Sequence, residues 1–270
     1  VFDGEKGPST GVFSTVQPGA TGNAGGITIT TDALEAINGA RISASTAGRG
    51  DAGNVNITTP LINIDRGEIS AFTETSGSGG DIFIASPESL NISGNGEIKA
   101  TASSTGSAGN IGIRSQNLTL SNGADITAST TGTGNAGTIN LQANTIDILE
   151  SSEILAFTEG SGAGGNITVR APEALNLDAN TKLSVETSSP GRAGNIAIGA
   201  NEINIGRGAE ISARATATST NTEDGGNISI NTSQLNITGQ LGIFAETAGE
   251  ADAGTLRINP WNNNQDIEIT

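Results

Sequence analysis

Four carboxylates recur at nearly one spacing. Glu68, Glu97, Asp125 and Glu153 are 29, 28 and 28 residues apart. Each opens a short apolar alternation, as in Glu68-Ile69-Ser70-Ala71. Residues that recur this way can be stacked in a column. Four stacked carboxylates about 5 Å apart repel by about 1 kcal/mol per adjacent pair in water. A divalent cation relieves such repulsion, so these four are candidate calcium ligands. The same row also reads as a solvated acidic face that keeps the protein in solution. The Gly-Gly-x-Gly-x-Asp calcium nonapeptide does not recur here.

Other recurring polar positions carry less chemistry. Glu35, Asn63, Asn91, Thr119, Asp147, Asn176, Asn204 and Asn236 form a second periodic set, suited either to binding sugar or to stabilising a sheet from outside. Phe72 and Phe157 recur in one phase, and Phe83 and Phe244 also fall at outward positions. Asn-x-Ser/Thr occurs at Asn56, Asn91, Asn117, Asn166, Asn227, Asn231 and Asn236, mostly as a by-product of strand alternation. Paired carboxylates are too common in this chain to mark a glycosidase.

Composition excludes several functions. The 270 residues include no Cys and no His. That removes disulfides, zinc–thiolate sites, thiol nucleophiles and any Ser-His-Asp triad. Twelve Lys and Arg against 28 Asp and Glu give a net charge of −16, which argues against nucleic acid as a partner. No run of about 18 apolar residues occurs to span a membrane. No catalytic group stands out, and the chain reads as a non-enzyme. It starts at Val1 without Met or a leader, as a piece cut from a longer protein would.

The elements that position these residues follow from the repeat. A small residue, Gly, a polar residue and then aliphatic–x–aliphatic recur nine times, anchored at Gly25, Gly53, Gly80, Gly109, Gly137, Gly165, Gly194, Gly226 and Gly254. The first aliphatics, from Ile27 to Leu256, are spaced 28, 27, 29, 28, 28, 29, 32 and 28. Each repeat holds three alternations of period two, the mark of a strand, and none with a sustained helical period. Three short strands per coil of about 28 residues predict an all-β, single-stranded parallel β-helix of about nine coils, stacked about 4.8 Å apart. Residues 23–258 form the repeats. Residues 1–22 hold an incomplete first coil whose GVFSTV (from Gly11) reads as a third strand. Residues 259–270 hold a further strand, DIEIT, which reads as the start of another coil. A four-residue insertion falls in RATATSTNTEDGG, from Arg214.

The columns make physical sense. Ile57, Ile84, Ile113 and Leu141 recur in the first strand, Ile64, Ile92, Leu120 and Ile148 in the second, and Ile69, Ile98, Ile126 and Ile154 in the third. Beside the last runs a small column of Ala71, Ala100, Ala128 and Ala156, suited to a narrow corner. The anchor glycines are expected at corners that need positive φ or that leave no room for a Cβ. Asn54, Asp81 and Asn110 beside them are expected to stack as a ladder. Ice binding needs a regular outward Thr column, and Thr28, Asn56, Phe83, Gly112, Asn140 is too irregular.

AGNIGI (from Ala108), LTLSNGADITAST (from Leu118) and TGTGNAGTINL (from Thr131) resemble the repeats of cyanobacterial filamentous-haemagglutinin-like exoproteins, the secreted partners of two-partner secretion systems. The opening GVFSTVQPGATGNAGGITI is similar in style. The resemblance implies a right-handed parallel β-helical stalk, exported unfolded through an outer-membrane partner and displayed at the cell surface. It implies an extracellular structural or adhesive rod serving adhesion, aggregation or surface-layer assembly. Exposed strand edges favour self-association, end to end or side by side. The alternative expectation is a module that binds calcium or cell-surface polysaccharide on the acidic face.

Overall fold

A computed structural model describes residues 10–188, 191–216, 225–238, 242–248, 252–261 and 268–269. The chain winds as a parallel β-solenoid with coils of about 28 residues and about eight turns. Nine anchor glycines bound eight intervals, so nine stacked repeats make about eight turns. Most of the four-residue insertion lies outside the described residues.

The period of 28 becomes vertical contact. Ile111 pairs with Ile82 on one side and with Ile139 on the other, in parallel register. The Ile111 amide donates to the Thr138 carbonyl at 2.9 Å. The third strands form a nine-stranded sheet from Gly11–Val16 through Arg41–Thr46, Glu68–Thr73, Glu97–Ala102, Asp125–Thr127, Glu153–Thr158, Lys182–Thr187 and Glu210–Ala215 to Ile243–Thr247. The first and second strands share a 14-stranded sheet. In four coils they run together as single strands: Ile82–Ser93, Ile111–Leu120, Ile167–Leu177 and Ile196–Ile205. Register shifts at Pro87 and Pro172 absorb the one extra residue in two of these coils, where a proline withholds its ladder donor.

The aliphatic columns meet in one continuous core, and Ile57, Ile84, Ile113, Ile98, Ile126 and Ile154 are fully buried. Each buried Ile contributes about 1.5–3 kcal/mol over an exposed one. Ala71, Ala128 and Ala156 are buried beside the anchor glycines. A Cβ on Gly137 would meet the Cβ of Ala128 at 3.2 Å and would strike the backbone carbonyl of Gly109 one coil earlier. These glycines are therefore required by close backbone approach. Positive φ belongs to another corner, before the third strand, at Asn38, Arg66, Asn95, Asn122, Glu150, Ser151, Ala179 and Asn180.

The expected ladder beside the glycines has a specific form. Each side-chain oxygen accepts from the next coil's backbone amide: Asn54 Oδ1 from Asp81 (2.9 Å), Asp81 Oδ1 from Asn110 (2.7 Å), Asn110 Oδ1 from Thr138 (2.9 Å). At the N-terminal end, Gly11–Val16 pairs with Arg41–Thr46 as a third strand. At the other end, Glu268–Ile269 pairs with Gln234–Leu235. It therefore holds the second-strand place of the coil begun by Leu256–Pro260, and does not start another.

Candidate functional site

The four carboxylates stand in one column. Glu68 is in register with Glu97, Glu97 with Asp125, and Asp125 with Glu153, each first in its third strand. Strand pairing sets them about 4.8 Å apart along the outer face. Every second residue of the strand shares that face. The next outward column is Ser43, Ser70, Lys99, Thr127, Leu155, Ser184 and Ser212. The one beyond includes Phe72, Thr101, Phe157, Glu186 and Arg214.

Cations divide the row unevenly. Arg41 Nη2 lies 2.8 Å from Glu68, and Lys99 Nζ lies 2.5 Å from Glu97. Farther along, Lys182 replaces the carboxylate and pairs with Glu186 at 3.6 Å. Arg214 lies 3.5 Å from Glu210 and donates from Nε to Glu246 at 2.6 Å. Residues i and i+4 on a strand are about 13 Å apart on one face, so these side chains must lie flat to meet. They cross above Ser184 and Ser212, which are 1% and 0% exposed on an outward column. Ser212 Oγ donates to Ser184 Oγ at 3.0 Å beneath them, as Ser70 does to Ser43 beside Arg41–Glu68. Sequence reading missed these covered serines, because their phase marks them as outward.

Asp125 and Glu153 have no such partner: among the described residues, neither has a Lys or Arg within ion-pair distance. Asp125 is half-buried, and desolvation pushes its pKa from 3.8 up to about 6. The Glu153 and Glu97 carboxylates add to the shift, while a backbone hydrogen bond and Lys99 oppose it. The structure brings the four candidate ligands into a row, not a cage. Among the described residues, no three Asp, Glu, His or Cys side chains converge to hold an ion.

Next to Glu153 the face opens into a groove of about 460 Å³, floored by Leu155, Phe157 and Ser184 and edged by Glu159, Lys182 and Glu186. It is amphipathic and open to solvent. The second polar column is an amide ladder: Asn176 Nδ2 donates to Asp147 at 2.7 Å, Asn204 to Asn176 at 2.8 Å, and Asn236 to Asn204 at 2.6 Å. Those amides are occupied in holding the sheet. Phe72 and Phe157 are half-buried on their shared column, and Phe83 is exposed on the first-strand face. No helix is long and apolar enough to cross a membrane among the described residues. No protein-family model, curated protein or solved structure matches the chain.

Proposed function

We propose that the chain is a segment of an extracellular structural and adhesive rod, a repeat region of a secreted filamentous-haemagglutinin-like surface protein. One observation carries this reading: the same aliphatic core and the same parallel strand pairing pass from coil to coil among the described residues, so the fold builds length. Eight turns at about 4.8 Å give a stiff unit roughly 40 Å long. Its carboxylate row sets four like groups at one strand spacing, which suits weak multivalent contact with a surface or with other rods. Its lack of Cys suits passage of an unfolded chain through an outer-membrane partner. Beads coated with the protein test the reading, alongside sedimentation across a wide concentration range. Clumping of the beads, or concentration-dependent assembly, supports it. Dispersed beads and a monomer at every concentration overturn it.

A second reading is favoured by the Asp125 environment. Like charges there raise proton affinity, and a cation on Glu68, Glu97, Asp125 and Glu153 would relieve the same repulsion. Calcium titration calorimetry and melting scans with and without chelator decide it. Heat and a chelator-sensitive melting shift support it; neither removes it.

A further inference from the structure

We propose that Trp261 is a latch, and that a notch on the outer face, floored by Gly199 and flanked by Arg170, is its receptor. The latch fastens the Leu256–Pro260 strand to the two coils beneath. Gly199 stacks under Asn231, and Asn231 under Asn259, in one outward column. Trp261 follows that column by two residues, and its amide donates to the Thr232 carbonyl at 3.0 Å. The ring folds back down the face. A Cβ on Gly199 would meet the ring's Cζ3 at 2.7 Å, and its three nearest neighbours would all be atoms of this indole. The Arg170 guanidinium, one coil lower, lies 5.9 Å from the ring centroid.

The same construction occurs once more. Phe83 lies against Gly112, where a Cβ would come within 3.2 Å of Cδ2, and Arg114 stands 5.6 Å from the ring. There the ring belongs to the adjacent coil and the contact is local. At Trp261 the ring spans two coil steps and ties a strand with partly exposed residues, Leu256–Pro260, to the body. An indole against a guanidinium is the strongest of the aromatic–cation pairs. A Cβ at Gly199 would collide with the ring where it now sits. The Leu256–Pro260 strand therefore loosens when the ring leaves the notch.

The chain holds one Trp, so its fluorescence reads the latch directly. In the intact protein, emission is blue-shifted from that of a solvated indole and resists acrylamide. Gly199→Ala fills the floor: emission moves toward the solvated value, and amide exchange at residues 256–259 speeds by about tenfold. Exchange in Ile139–Gln142 stays unchanged, which shows that the body is folded. Arg170→Gln gives a smaller change of the same sign. In a Trp261→Ala background, Gly199→Ala no longer speeds exchange at residues 256–259, because alanine is otherwise favoured over glycine in a strand. A solvated indole in the intact protein would overturn the latch. An equal effect of Gly199→Ala in both backgrounds would overturn it as well.

Discussion

Two stretches of one column have the same backbone and opposite electrostatics. From Glu97 to Glu153, three carboxylates stack with one lysine among them. From Lys182 to Glu210, cations and carboxylates interleave and reach across the face to Glu186, Arg214 and Glu246. The second stretch seals its serines; the first leaves Asp125 partly desolvated, its pKa pushed up to about 6. The solenoid's stability comes from the core both share, so the outer column is free to vary.

The comparison is sharpest where inside and outside adjoin. Ile126→Asp places an unpaired charge in the core and is expected to cost about 4 kcal/mol or more. Thr127→Asp, one residue on and outward, adds a charge to the acidic face and costs about 1 kcal/mol. Urea denaturation of both variants measures the gap, and equal losses would reverse the assigned facing.

Lys182→Glu makes the second stretch resemble the first. It breaks the pair with Glu186 and extends the carboxylate row from Glu153 to Glu210. The expected loss is about 1–2 kcal/mol at low salt, shrinking as salt screens it. A loss that ignores salt would mean that packing over Ser184, and not charge, is what the lysine supplies.

Asp125→Asn works in the opposite direction. Asp125 binds its proton more tightly folded than unfolded, so stability falls as pH rises between 3.8 and about 6. The penalty is fully present above that window and absent below it. Half-exposure and solvent screening hold it to about 1 kcal/mol. The variant should melt above the parent at pH 7 and with it at pH 4. A gain that is the same at both pH values would place its cause outside the titration of Asp125.

Much of this was legible in the sequence because a solenoid converts period into contact. Ile111 over Ile139, the Ala column and the carboxylate row follow from spacing alone. The causes of individual positions were less legible. The anchor glycines read as corners that need positive φ or leave no room for a Cβ, and spacing alone did not say which; they answer to the carbonyl of the coil beneath. The positive-φ corner falls at Glu150, Ser151 and Ala179 in two coils, residue types that do not advertise it. The buried serines depend on side chains four residues apart lying flat, which strand phase does not encode. Trp261 reaches its notch across 62 residues of chain, and no local pattern links it to Gly199.

The central claim is that each coil sits one strand spacing above the last. Thr30, Thr58, Ala85, Arg114, Gln142, Arg170, Gly199, Asn231 and Asn259 form one outward column. The chain lacks Cys, so paired substitutions take spin labels cleanly. Dipolar spectroscopy should give backbone-corrected separations of about 19 Å for Thr30→Cys with Gln142→Cys, four steps apart, and about 38 Å for Thr30→Cys with Asn259→Cys, eight steps apart. Doubling the steps doubles the distance in a straight stack. Separations that do not grow in proportion to coil number would contradict it.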